Sequence, residues 1–124
     1  MVASAARDGP ADASATFLSG PAAKGNAMPT YVTLLNFTDQ GIRNIKDSPK
    51  RAEAYKKLAK EHGCTVKEIL WIHGHYDIVT IVEAPDDAAA SALSLSGAKL
   101  GNVRGQTLRA FNAAEMAKIL DKVS

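Results

Sequence analysis

The sequence predicts an α+β domain, a single antiparallel sheet with its helices on one face. Three observations carry this. From residue 28 onward, strand and helix patterns alternate in the order β-α-β-β-α-β-α. Only His73-Gly74-His75 separates the second and third strand patterns, a length that fits a tight hairpin. The strands carry apolar residues on both faces, so helices on one side leave the other side to be covered.

Each element has its own local reason. TYVTLLNF (30–37) is rich in β-branched and aromatic residues, a strand composition. In TDQGIRNIKD (38–47), Asp39 and Gly41 mark a turn. Ser48 as cap and Pro49 at the first helical position start a helix that runs to its stop at Gly63. TVKEILWI (65–72) and YDIVTIVEA (76–84) are the next two strands. Pro85 opens a second helix, with Asp86 and Asp87 where negative charge favours the helix dipole. Gly97 and Gly101 weaken and end it. NVRGQTLRAF (102–111) is the fourth strand. Asn112 and Glu115 have capping-box spacing and start a last helix. This order is that of a ferredoxin-like βαββαβ sandwich with an extra C-terminal helix.

Residues 1–27 differ from the rest. They are rich in Ala, Gly, Ser and Pro and have too few large apolar side chains to offset the entropy of ordering them. They read as a disordered N-terminal extension, with Met28 a candidate natural start and 28–124 the folded domain. The extension lacks the basic start and apolar core of a secretory signal.

Composition excludes several partners. Of the 124 residues, 46% are apolar and 23% charged, a globular balance. A net charge of +2 gives no footprint for nucleic acid. No apolar run approaches the ~20 residues of a membrane span. One cysteine, Cys64, allows no internal disulfide, so a reducing cytoplasm is the expected compartment.

The strand alternation predicts a partner of a different kind. Ile78, Thr80 and Val82 point one way and Val79 and Ile81 the other. Tyr31, Thr33, Leu35 and Phe37 oppose Val32 and Leu34 in the same manner. A second copy of the chain, sheet against sheet, is the economical cover for the helix-free face.

The chemistry-bearing residues concentrate in HGHYD (73–77). As a metal site it offers His73, His75 and Asp77, which share a face if extended. Gly74 in the turn breaks that alternation, so exposed histidines on a hairpin are preferred and no metal is expected. As an acid–base site it offers His75, Tyr76 and Asp77. Against this, Gly74 permits positive φ, Tyr76 packs at the strand start, and Asp77 accepts backbone N–H bonds that pin the turn. Trp71, just before the turn, reads as packing before it reads as a ligand platform. Arg43, Lys46, Lys50 and Arg51 gather at a helix start, where an anion is one reading and a solvated face the preferred one. Arg104 and Arg109 point to opposite faces and form no clamp. Cys64 reads as a small buried residue.

From Met28 to its end the chain resembles the GYD domain family. The resemblance rests on FTDQGIRNIKDSPKR (37–51), GHYDIVTIVEAPDD (74–87) and GNVRGQTLRAF (101–111), with Gly74, Tyr76 and Asp77 as the Gly-x-Tyr-Asp signature. It implies a ferredoxin-like domain of the dimeric α/β-barrel type and implies no reaction. GHYDIVTIVEAPD, a helix, and GNVRGQTL are also similar to the effector-binding domain of leucine-responsive (feast/famine) regulators. That likeness implies dimers or larger rings holding small effectors between subunits. The helix-turn-helix of such regulators is not read in this sequence.

The sequence therefore favours a small-molecule-binding or regulatory module that forms a homodimer or higher oligomer. Its expected ligand site lies at a subunit interface near Trp71, Tyr76, Asp77, Asn102 and Arg104, and no cofactor is expected. Two alternatives stay open. One is a cofactor-independent enzyme with His75 or Asp77 as base and Tyr76 polarising the substrate; the other is a structural dimer without ligand.

Overall fold

The protein is described by a computed structural model covering residues 28–124. The expectation of a disordered extension over residues 1–27 lies outside the described residues. Two compact units divide the described chain, Pro29–Ala110 and the segment from Phe111 to Ser124.

In the larger unit, β1 (Thr30–Phe37) leads into a short helix α1 (Asp39–Arg43), a 3-10 turn (Ile45–Asp47) and the long helix α2 (Ser48–Glu61). Then come β2 (Thr65–Trp71), β3 (Ile78–Glu83), helix α3 (Asp87–Ala98) and β4 (Val103–Ala110). The sheet order is β2-β3-β1-β4 and every pairing is antiparallel. This is the ferredoxin-like arrangement, with β1 and β3 central. In the smaller unit, α4 (Ala113–Leu120) starts at the capping box read from the sequence. Asn112 Oδ1 accepts from the Glu115 N–H at 2.8 Å, and Glu115 Oε1 accepts from the Asn112 N–H at 2.9 Å.

Helix α3 starts at Asp87 behind an Asp86 cap rather than at Pro85, and β4 is one residue shorter at each end; three further boundaries differ from the sequence reading. Residues 39–43 are helical rather than a turn, because Thr38 caps them through its hydroxyl, which accepts from the Gly41 N–H at 3.1 Å. Helix α2 begins one residue earlier than expected, after Asp47 rather than after Ser48. Ser48 is buried instead, its hydroxyl accepting from the Trp71 indole N–H at 3.0 Å. The β2–β3 connection spans 72–77, because Tyr76 and Asp77 belong to the loop and β3 starts at Ile78.

The inner face of the sheet carries α2 and α3. Tyr31 and Val82 from the sheet, Ala59 from α2, and Ala90 and Leu93 from α3 form the buried core, with Cys64 and Ala84. The strand alternation holds: Ile78, Thr80 and Val82 are buried while Val79 and Ile81 are half-buried. Cross-strand register puts Leu70, Val79 and Leu34 in one row on the other face, and Ile81, Val32 and Leu108 in the next. Leu70 is 48% exposed and Leu108 42%, so that face keeps an apolar surface.

Candidate functional site

The connection that holds Gly74, Tyr76 and Asp77 is stitched to both central and edge strands. Gly74 takes φ +123°, a conformation that side chains with a Cβ rarely adopt. Ile72 N–H donates to the Asp77 carbonyl at 2.8 Å and closes the loop at its base. Asp77 then ties that base to β1 twice. Its N–H donates to the Leu35 carbonyl at 2.8 Å, and its Oδ2 accepts from the Phe37 N–H at 2.9 Å. Asn36 Nδ2 donates to the His75 carbonyl at 2.7 Å. The Tyr76 hydroxyl reaches across β1 to accept from Gln106 Nε2 of β4 at 2.7 Å. The side chains of His73 and His75 stay exposed. Among the described residues, no three of His, Cys, Asp and Glu come together to hold a metal.

A cavity of about 540 Å³ lies elsewhere, between the sheet and the two long helices of the same unit. Its floor is Leu35, Ile69, Trp71, Ile78, Thr80 and Thr107. Helix α2 supplies Ser48, Arg51, Tyr55 and Leu58, and α3 supplies Ser94, Leu95, Gly97 and Ala98. The far wall is the turn after α3, through Lys99, Leu100 and Asn102, running into Val103–Gly105. The volume falls in the ~300–1,000 Å³ range of small-molecule sites and is far larger than the gaps of a close-packed core.

The sequence explains why the two layers part here. At the β1-start end of the sandwich, Tyr31, Val82 and Leu93 fill the interlayer gap. At the other end α3 presents the small residues Ser94, Gly97 and Ala98, which leave space above the sheet. A Cβ at Gly97 would sit 3.8 Å from the Tyr55 ring, an ordinary contact distance, so the ring lies close against this glycine. The mouth is lined by side chains that stay in solvent, with Trp71 47% and Leu100 62% exposed.

The wall is fastened by hydrogen bonds. Ser94 Oγ pairs with Thr107 Oγ1 at 2.7 Å and links α3 to β4. The Trp71–Ser48 bond links the end of β2 to the start of α2. Thr38 holds the Gly101–Asn102 turn, its hydroxyl donating to the Gly101 carbonyl at 2.5 Å and its N–H to the Asn102 carbonyl at 3.0 Å. Gln40 Nε2 donates to Asn102 Oδ1 at 3.0 Å. Gly41 must be a glycine here, since a Cβ would lie 2.0 Å from the Asn102 oxygen.

Among the described residues, two polar groups on the wall are buried without partners. Thr80 is 2% exposed and its Oγ1 has no hydrogen bond. Arg51 Nη1 donates to the Asn44 carbonyl at 2.8 Å, but its Nη2 is buried and unpaired. Each such orphan costs about 1–3 kcal/mol. Burial raises the Tyr55 phenol above its ordinary pKa; the neighbouring Thr80 hydroxyl pulls the other way, although no hydrogen bond of ordinary geometry joins the two.

Of the residues singled out from the sequence, Trp71, Asn102 and Arg104 line this cavity. Arg104 pairs with Asn36, a register that puts its side chain on the opposite sheet face, so its backbone forms the wall. Tyr76 and Asp77 are brought together in the stitched loop and do not line the cavity, nor do His73 and His75. Sequence reasoning missed Tyr55 and Thr80 as wall residues and set Arg51 among solvated cations. A signal was present: Arg51, Tyr55 and Leu58 are spaced four and three apart, one stripe of a helix.

Fold and cavity together define a ferredoxin-like sandwich with an open, ligand-sized interior. The chain belongs to the GYD domain family, whose pattern matches residues 31–120. It is 33% identical over 90 residues to a glutamine synthetase and cystathionine beta-lyase binding protein of Thermus thermophilus, covering 72% of this chain and 95% of that protein. Among solved structures it is similar to a feast or famine regulatory protein of M. tuberculosis complexed with L-methionine. The TM-score is 0.57 at 14% identity, over 82% of this chain and 69% of the other. A putative chlorite dismutase superimposes with a TM-score of 0.50 at 16% identity, over 77% of this chain and 49% of that one. At these identities the two structures bear on the fold. No helix among the described residues is long and apolar enough to cross a membrane.

Proposed function

We propose that this protein is a self-associating binding module without a reaction of its own, and that its ligand site is the cavity between the helices and the sheet. The cavity carries the reading: its volume is about 540 Å³, exposed residues such as Trp71 and Leu100 line it, and its walls are mainly apolar. A catalytic reading of HGHYD has less support. One carboxylate oxygen of Asp77 accepts from the Phe37 N–H and the Tyr76 hydroxyl accepts from Gln106, which suits both residues to pinning the loop. For the same reason we take the ligand to sit within a subunit rather than beside Tyr76 and Asp77 at an interface. Self-association is supported by the apolar rows around Leu34, Val79 and Ile81 on the face that α2 and α3 leave open. The unpaired, buried Cys64 suits a reducing compartment such as the cytoplasm.

The experiment is a thermal-shift screen of small metabolites beside sedimentation of the free protein. Ligands that occupy the folded state raise the melting temperature by mass action. Stabilisation by compounds with an apolar body, in a species heavier than one chain, supports the reading. A monomer that no small molecule stabilises contradicts it. A second reading, binding to an enzyme, is favoured by the Thermus relative, which is named for binding two enzymes. In that case the partner, and no metabolite, would stabilise the chain.

A further inference from the structure

The charge of the cavity narrows its ligand. Among the described residues, Arg51 and Lys99 bring charged side chains to its wall, Arg104 contributes backbone, and neither an aspartate nor a glutamate lines it. The chain as a whole is nearly balanced, with 15 basic and 13 acidic residues, so a lining without a single acid is a local feature. Arg51 is the inner of the two cations. Its one recorded hydrogen bond goes to the Asn44 carbonyl, and its Nη2 is buried with no acceptor. The same cavity is lined by the apolar Leu35, Leu58 and Ile69.

We propose that the cavity takes an amphipathic organic anion, a carboxylate on an apolar body. This rests on the reading of the cavity as a ligand site and names its ligand class. The carboxylate accepts from the guanidinium of Arg51, whose flexible side chain turns Nη2 from the wall toward the ligand. Lys99 at the mouth attracts the same charge. The apolar body replaces the missing packing between α3 and the sheet, against Leu58 and Ile69. A cationic ligand is excluded by the same two side chains, and a neutral one leaves the guanidinium unpaired.

Trp71 is the only tryptophan and lines the cavity, so its fluorescence reports occupancy. The full chain is titrated separately with sodium octanoate, 1-octanol and octylammonium chloride. Octanoate is expected to change Trp71 emission saturably and to bind at least about tenfold more tightly than octanol, the scale of a charge-assisted hydrogen bond, with octylammonium weakest. Arg51→Met should erase the gap between octanoate and octanol while leaving octanol affinity in place, which also reports that the variant is folded. Equal binding of octanoate and octanol by the unmodified protein would overturn the anion inference and leave the cavity reading standing. If none of the three moves either Trp71 emission or the melting temperature, both fall.

Discussion

Asp77 illustrates what a single side chain does in this fold. One carboxylate oxygen accepts from the Phe37 N–H, and the backbone N–H of the same residue donates to Leu35. Together they extend the β1–β3 pairing beyond Ile78, the first residue of β3. Asp77→Ala removes an acceptor from a part-buried N–H and is expected to lower stability by about 1–2 kcal/mol in a urea titration. An unchanged midpoint would mean that the loop is not pinned there. Tyr31 makes a prediction about pH. Its hydroxyl donates to Asp87 at the start of α3, and Arg109 lies over its ring at 5.7 Å. Burial first, and then the Asp87 carboxylate, push its pKa from 10.0 to about 12. The unfolded chain therefore releases this proton before the folded chain does. The stability Tyr31 contributes is whole below pH 10 and is lost as pH rises toward 12. Tyr31→Phe should remove this part of the alkaline decline seen in urea midpoints at successive pH values. A decline as steep as in the parent would place its cause in other groups, among them the Tyr55 phenol and the Cys64 thiol, both also raised by burial. Of these single-residue roles, Asp77 as a pin and Cys64 as a buried thiol were legible in the sequence. The Tyr31–Asp87 bond was not, since the partners lie 56 residues apart and only the fold brings them together.

At the scale of elements, the strands and the C-terminal capping box could be read from local pattern, because hydrophobic alternation and side-chain caps are decided within a few residues. The start of α2 could not. Ser48 has the chemistry of a cap, but the Trp71 indole competes for its hydroxyl from 23 residues away. Helix α3 is the more instructive case. Its run of Ala, Ser and Gly reads as an ordinary helix, and the space it leaves over the sheet depends on what faces it. That space becomes visible only once Ile78 and Thr80 are known to lie beneath it. The buried Thr80 hydroxyl tests whether the site is held at a cost to stability. Thr80→Val keeps the shape and removes an unpaired oxygen, so the free protein is expected to gain about 1 kcal/mol in urea unfolding. A loss of stability would mean that the hydroxyl has a partner in solution, Tyr55 being the nearest candidate by its perturbed pKa.

For the whole molecule, the apolar surface on the sheet face away from α2 and α3 is the feature that composition could not locate and strand alternation could. Leu70 and Leu108 lie on the two edge strands and are exposed, while Leu34, Val79 and Ile81 between them are half-buried. If two copies meet here, Leu70→Glu with Leu108→Glu buries unpaired like charges at the contact and should convert the assembly to monomers in sedimentation. The pair should leave ligand affinity unchanged, because neither residue lines the cavity. The strand alternation and the family resemblance imply a ligand between subunits, whereas the cavity favours one inside a subunit. The discriminating measurement is a two-dimensional amide NMR spectrum of the isotopically labelled protein, recorded with and without octanoate. The expected shifts cluster at Arg51, Tyr55, Trp71 and Leu100. Shifts confined to His75–Asp77 and to the face of Leu70 and Leu108 would contradict the account.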